Sequence, residues 1–328
     1  MNSSNNVSSF AQRHADYISR LLIASLLTLM LVSINMTVSY ASELDYKLVA
    51  EPVGKGTYVF IGSTKYFSRK NGGNIANAAY IVTNGGVIVI DTGSSYLYGK
   101  QMREYIESTT GLSIIKVFNT HHHPDHFLGN QAFKDVSIAS LQEIVNTITT
   151  QGEALNNNLY LLVGDWMKET EAYPPTEVVT PGIITIGGHK IEIIALDGHT
   201  DSDMTIYDHT TGVLFAGDLI FHNRTPAVAN ANIKNWLESI SKLQKLDYKY
   251  LVAGHGPVTT DERAIIQTRE YLSWLHDTLQ SALDSGLDVS EAIQLTVPDR
   301  FKELDILHEE YKRGVLQLYP GMEQAYFE

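Results

Sequence analysis

Within the stretch NTHHHPDHFLGN, the six positions from His121 to His126 hold four of the chain's twelve histidines and one aspartate. Crowded imidazoles repel one another once protonated, so a fold must either leave them in water or close them around a cation. The spacing H-x-H-x-D-H narrows the choice. The preceding IIKVFNT is apolar and β-branched, which predicts a buried strand whose end carries the cluster. In extended chain, residues i and i+2 project to one side, so His121 and His123 can face one ion. Pro124 turns the chain, and Asp125 and His126 can then face a second position. By itself this stretch leaves a metal site and a solvated histidine patch both open.

Three further stretches repeat one pattern, a strand-like apolar run ending in a polar residue beside glycine. His199 lies in ALDGHTDSDM, Asp218 in VLFAGDLIF and His255 in YLVAGHGPV. Glycine suits a chain that ends a strand and turns close to something bound. Zinc accepts imidazole and carboxylate donors, and three histidines leave a fourth position for water. The expected assignment places His121, His123 and His199 on one ion and Asp125, His126 and His255 on a second, with Asp218 bridging. A bridging carboxylate spans ions ~3.5–4 Å apart in two-metal hydrolytic sites. Two divalent ions, zinc by preference, are the expected cofactors.

Together these motifs resemble the metallo-β-lactamase superfamily. The resemblance rests on T-H-x-H-x-D-H-x-x-G from Thr120 to Gly129, G-H-T from Gly198, G-D at Gly217 and Asp218, and G-H-G from Gly254. It implies an α/β fold, a four-layered αβ/βα sandwich with the metals at one edge. It also implies that Asp91, in VIVIDTG, supports the ligands from behind. Asp125 and Asp91 are thus the expected catalytic carboxylates, with Asp125 orienting the attacking water and passing on a proton. The chain has no cysteine, which excludes the branch whose second metal is ligated by that residue. His123 stands where the di-iron flavoprotein branch carries Glu, and Asp218 resembles the hydroxyacylglutathione hydrolase side. A narrower similarity, through VFIGSTKYFSRKNGGNIANAAYIVTNGGVIVIDTG, LVGDWMKET and LFAGDLIFHNRTP, is to the periplasmic quinoprotein relay system zinc metallohydrolases. It implies redox partners in a periplasmic oxidation chain.

The activity expected from this set is hydrolysis of a small ester, thioester or lactam by metal-activated water. Two alternatives remain. One is a mononuclear iron enzyme oxidising a thiol or persulfide, against which the retention of Asp125, His126 and His255 counts. The other is a non-catalytic accessory protein of a quinoprotein or cytochrome chain. Asn74, Asn77, His222 and Arg224 are the candidate substrate-binding residues, Arg224 as a cation for an acidic substrate. His189 and His209 are expected in hairpin turns, exposed and inert, and His122 to point away from the ligand pair.

Arg13 and Arg20 precede LLIASLLTLMLVSINMTVSYAS, an apolar run diluted by Asn, Ser and Thr that ends in small-x-small at Ser39, Tyr40 and Ala41. This is the layout of a secretory signal over residues 1–41, with Ser42 opening a hydrolase domain over 42–328. Cleavage leaves no stable membrane insertion, whereas an uncleaved run approaches the ~20 residues that span a bilayer. The expected location is periplasmic or secreted. A formal charge of −13 repels polyanions, so the expected substrate is a small molecule and nucleic acid is excluded as a partner. Hairpins are predicted over AAYIVTNGGVIVIDTG, GIITIGGHKIEIIAL and MTIYDHTTGVLFAG. Helices are predicted over YLYGKQMREYIESTT, from Ile233 to Lys245, from Asp261 to Leu283 and near the C-terminus.

Overall fold

The computed structural model describes residues 12–25, 44–229 and 231–328. The chain divides into Met1–Asp45 and Tyr46–Glu328. In the first unit, residues 12–25 form helix α1, along which Tyr17, Ile18, Leu21, Leu22 and Ile23 are exposed. The expected cleavage point between Ala41 and Ser42 lies outside the described residues. Among the described residues, no helix is long and apolar enough to cross a membrane.

The second unit is built on two sheets. The first contains β1 (Ala50–Gly54), β2 (Thr57–Phe60), β3 (Ala78–Thr83), β4 (Gly86–Ile90), β5 (Ile114–Phe118), β6 (Ile138–Ser140) and β7 (Glu177–Val178), in that spatial order. It is antiparallel from β1 to β4 and parallel from β4 onward. The second contains β8 (Gly182–Ile186), β9 (His189–Leu196), β10 (Asp203–Asp208), β11 (Val213–Phe221) and β12 (Tyr250–His255), ordered β12-β11-β10-β9-β8. Only β11 and β12 pair in parallel there.

The near-continuous apolar strands have a physical reason, since each central strand is covered on both faces. Ile88 and Ile90 of β4 face a core shared with Met204, Ile206, Phe215 and Val252 of the other sheet. Val87 and Val89 point the opposite way, into a core with Tyr98, Met102 and Ile106. Those last three belong to helix α2 (Tyr96–Thr110), which starts where the Ser95 side chain accepts from the Tyr98 amide and ends at Gly111 with φ 68°. Leu214 and Ala216 of β11 likewise face the outer helices α5 (Ile233–Leu243) and α6 (Arg263–Asp284), packing with Trp236, Ile240 and Leu272. The result is four layers, helix, sheet, sheet, helix, as the resemblance implied.

Helix α3 (Pro124–Phe127) is one short turn, and α4 (Gln142–Val163) runs for 22 residues. The C-terminal part adds α7 (Val289–Ala292) and α8 (Leu307–Phe327). Trp236 ties the outer layer to the site: it is fully buried, its indole N–H donates to the Leu219 carbonyl at 2.8 Å, and its ring lies 5.0 Å from that of His199. Trp236→Ala is expected to cost ~3–5 kcal/mol through the cavity it leaves. Urea unfolding checks this, and a change under ~1 kcal/mol would contradict the packing account.

Two hairpin histidines differ from expectation. His189 opens β9, and its Nδ1 lies 2.8 Å from Oδ2 of the fully buried Asp208. His209 Nε2 lies 2.7 Å from Glu192 Oε2. His209 is exposed in its turn, as expected, and His189 only partly so, but both are engaged rather than inert, because pairing of β9 with β10 brings a strand carboxylate to each ring, which local sequence does not reveal.

Candidate metal centre

The candidate site sits where strand ends converge. β4 and β5 run parallel and end together, delivering Asp91 and, after Asn119 and Thr120, the histidine cluster. His123 caps α3, Pro124 is its first residue, and Asp125 and His126 lie in its first turn. Proline is favoured there because its missing N–H would be unpaired in any case. On the other sheet, β11 bulges between Phe215 and Gly217, where the three residues Phe215, Ala216 and Gly217 face only Val252 and Ala253 of β12. Gly217 takes φ 55°, and the bulge re-aims Asp218 toward the cluster. His255 closes β12, and His199 follows β9.

These residues form two groups that could hold an ion each. The ligand atoms of His121, His123, His199 and Asp218 lie within 4.8 Å of one another, and so do those of Asp125, His126 and His255. Asp218 stands between them. Its Oδ1 is 3.1 Å from His126 Nε2, and its Oδ2 is 3.1 Å from His255 Nε2, 3.4 Å from His199 Nε2 and 3.9 Å from His121 Nε2. Asp125 Oδ2 lies 3.6 Å from His255 Nε2 and 3.8 Å from His126 Nε2.

Partners behind the rings set which nitrogen faces inward. His126 Nδ1 donates to Asp91 Oδ2 at 2.8 Å, and His255 Nδ1 donates to the Ile75 carbonyl at 2.7 Å. His121 Nδ1 donates to Thr120 Oγ1 at 3.1 Å, which in turn donates to Asp91 Oδ2 at 2.8 Å. Each of these rings therefore turns its Nε2 toward Asp218 at the centre. Nε2 of His121 and His126 and Oδ1 of Asp218 are buried with no hydrogen-bond partner, a costly condition that a cation would relieve. The donor set thus fits divalent ions.

Burial works against charge on His126, but the Asp218, Asp91 and Asp125 carboxylates prevail and hold its pKa well above the usual histidine value. Burial holds His121 and His199 well below it, with the neighbouring rings contributing and Asp218 opposing. For Asp218, burial alone would raise the pKa, yet His255 and His126 hold it well below the carboxylate range.

Asp91 adopts φ 57°, a conformation rare outside glycine, and holds it because its Oδ1 also accepts the Thr120 amide at 2.8 Å. All three of its partners are donors. Asp91→Asn places an amide N–H against one of them and is expected to weaken binding of the ion nearest His126 by ~10–100-fold. Competition against a chromophoric chelator measures it, and unaltered affinity would remove Asp91 from this role.

The remaining candidates fare differently. Asn77 is buried; its Nδ2 donates to the carbonyls of Ala253 and Gly256 and its Oδ1 accepts from Gly62, so it clips β12's end to the loop rather than facing a substrate. His222 Nδ1 donates to the Pro257 carbonyl at 2.8 Å. Arg224 is only 2 % exposed, with Nη1 3.2 Å from the Lys65 carbonyl and 3.3 Å from His255 Nδ1. It lies behind His255, and that burial corrects the expectation of a cation open to a substrate. Asn74 lies in the loop before β3, its backbone carbonyl accepting from Ser63 and its Oδ1 buried without a partner. Burial pushes His122 down to about 3, with His123 adding to the effect, and it belongs to neither group.

Two supporting residues escaped sequence reasoning. Thr120 relays Asp91 to His121. Asp203 is buried and accepts from the amides of His199 at 3.1 Å and Thr200 at 3.0 Å and from Thr200 Oγ1 at 2.9 Å, shaping the loop that carries His199. Burial pushes its carboxyl up to about 8 against those three donors. The signal was present in GHTDSD, an acidic residue placed to receive the preceding turn's amides.

A family model described as the Metallo-beta-lactamase superfamily matches residues 71–255, which contain every candidate ligand. The chain belongs to that superfamily. Its relatives include a linear primary-alkylsulfatase of a Pseudomonas species, 21 % identical over 285 residues that cover 72 % of this chain and 53 % of that one. Metallo-beta-lactamase IND-1 of Chryseobacterium indologenes is 24 % identical, covering 55 % of this chain and 71 % of that one. A hydroxyacylglutathione hydrolase of Thermosynechococcus vestitus is 26 % identical over 140 residues, covering 42 % of this chain and 46 % of that one. The chain thus spans about half the length of two of these three relatives. Among solved structures, a metallo-beta-lactamase from Pontibacter korlensis superposes with a TM-score of 0.58 at 19 % identity, covering 69 % of this chain and 99 % of that one. Metallo-beta-lactamase IND-7 gives 0.57 at 22 % identity, covering 70 % and 100 %. These two establish the shared fold.

Proposed function

We propose that this superfamily member is an exported hydrolase using two divalent ions, zinc by preference, on a small ester, thioester or lactam-like substrate. The observation that carries the reading is Asp218, whose buried carboxylate lies within 4 Å of His121 and His199 of one group and of His126 and His255 of the other. His121, His123 and His199 would hold one ion, and Asp125, His126 and His255 the other. The chemistry such ions supply when bound is polarisation of an acyl carbonyl and acidification of water toward a pKa of ~7. The chain's own part is orientation. Thr120 and Asp91 hold His121 and His126, Asp203 holds the His199 loop, and Asp125 offers a carboxylate at the second group that can hold an attacking water's proton. The names of the relatives, an alkylsulfatase, a β-lactamase and a hydroxyacylglutathione hydrolase, agree in hydrolysis while differing in substrate.

Export rests on the leader layout, and a link to periplasmic redox partners rests on the narrower sequence similarity. Cell fractionation addresses the first. For the activity, the chain from Ser42 onward should carry about two zinc ions by elemental mass spectrometry and turn over an aryl ester, a thioester or a chromogenic lactam. One tightly held iron per chain with no hydrolysis of any of these would sink the proposal.

A further inference from the structure

The loop of residues 61–77, between β2 and β3, lies behind His255. Its Ile75 carbonyl accepts from His255 Nδ1 at 2.7 Å, and its Lys65 carbonyl accepts from Arg224 Nη1 at 3.2 Å. The two legs of the loop close on each other. The Ser63 amide donates to the Asn74 carbonyl at 3.1 Å, and a methyl group at Gly62 would stand 2.4 Å from the Ile75 carbonyl carbon. A shift at residues 62–65 therefore carries to Ile75, because close-packed backbone leaves no slack between them.

Asp305 lies beyond residue 255, where the family match ends, and bonds to two other segments. Its backbone forms a parallel bridge with Arg224: the Asp305 carbonyl accepts from the Thr225 amide at 3.2 Å and from Thr225 Oγ1 at 3.1 Å, and its amide donates to the Asn223 carbonyl at 3.1 Å. Its side chain holds the loop, Oδ2 accepting from Thr64 Oγ1 and Oδ1 from Lys65 Nζ. Lys65 is 67 % exposed, so that ion pair is screened and contributes little, and the Thr64 bond carries most of the connection. Ile306, next in the chain, takes φ 56°, a strained choice for a β-branched residue that the bonds around Asp305 must hold. The Asp305 carboxylate is not spent on α8, whose first turn has no side-chain cap bond.

We propose that Asp305 is a positioning residue for the centre: its side chain pins the loop at Thr64 and Lys65 to the segment of Arg224 and Thr225, and so fixes the Ile75 carbonyl that orients His255. The connection runs through hydrogen bonds at every step, from Asp305 to Thr64, across the Ser63–Asn74 closure, and from Ile75 to His255. A ligand's ring orientation sets how well its free nitrogen meets an ion, so the group of Asp125, His126 and His255 depends on this connection. The dependence on an ion rests on the two-ion reading, which the unsubstituted chain's own ion count tests separately; the hold on the loop is measured without metal.

The test pairs two measurements on the full chain carrying Asp305→Ala, which removes the side-chain bonds and leaves the backbone bridge to Arg224. In the metal-free protein, amide hydrogen exchange over residues 61–77 should speed up by roughly 10-fold or more. In stepwise zinc titration against a chromophoric chelator, one binding step should weaken by roughly 5-fold or more while the other stays within about 2-fold. Thr64→Val removes one of the two side-chain bonds and should move both readouts the same way by less. A purely structural role for Asp305 predicts a lower Tm with loop exchange and both zinc steps unaltered. That pattern, unaltered loop exchange, unaltered zinc steps or an equal weakening of both steps would each overturn the proposal. If Asp305→Ala does not fold, Thr64→Val decides by the same criteria.

Discussion

Asp218→Ala is expected to empty both ligand groups and lower kcat/KM by about 10³-fold or more, equivalent to several kcal/mol of transition-state stabilisation. The size follows from position. Among the described residues, Asp218 is the one carboxylate within 4 Å of His121, His126, His199 and His255, so its loss removes a donor from both groups and leaves four buried rings without the charge that balances an ion. His121→Ala should act less evenly, depleting one ion first. Elemental mass spectrometry of both variants beside a hydrolysis assay separates the cases. Two ions retained in Asp218→Ala would end the bridging assignment, whatever the activity.

The second large effect comes from a residue with no side chain. A methyl group at Gly254 would stand 1.9 Å from Asp218 Oδ1 and 2.8 Å from both the Asp218 amide nitrogen and the Gly217 carbonyl carbon. The carboxylate could swing away only by leaving the centre, and the backbone atoms belong to the paired β11 and β12. Gly254→Ala should therefore cost about 3 kcal/mol, lower Tm by roughly 6–12 °C and strip the ions. Gly321→Ala is the matched control. It lies within α8 with nothing near the added methyl, and it should be neutral or raise stability by up to about 1 kcal/mol. Equal melting temperatures in the two variants would refute the close-packing account of Gly254.

Much of this centre is legible in the sequence. The i and i+2 histidines, the proline that begins α3 and the glycines at strand ends are local signals, and each reflects what the backbone must do at that point. Hairpins at Thr83/Gly86, Ile186/His189 and Asp208/Val213 were equally plain, since apolar alternation and turn residues act over a few positions. The substrate candidates were less so. Asn77, His222 and Arg224 lie near the ligands in sequence or space, but proximity does not tell which way a polar side chain spends its hydrogen bonds.

The linear chain carries the chemistry available: seven oxygen and nitrogen donors, no thiolate, and short-range geometry that places His121, His123, Asp125, His126, His199 and His255 near the end of a strand or the start of a helix. How those donors are held, and what surrounds them, follows from long-range packing. Asp91 reaching across 35 positions to His126, the bulge that turns Asp218 inward, and Asn77 bonding the carbonyls of Ala253 and Gly256 are products of packing two sheets and their outer helices. Local spacing can specify a side chain's direction because it depends on a few dihedral angles. Its partners depend on which distant surfaces bury each other, and that is settled only when the whole core closes.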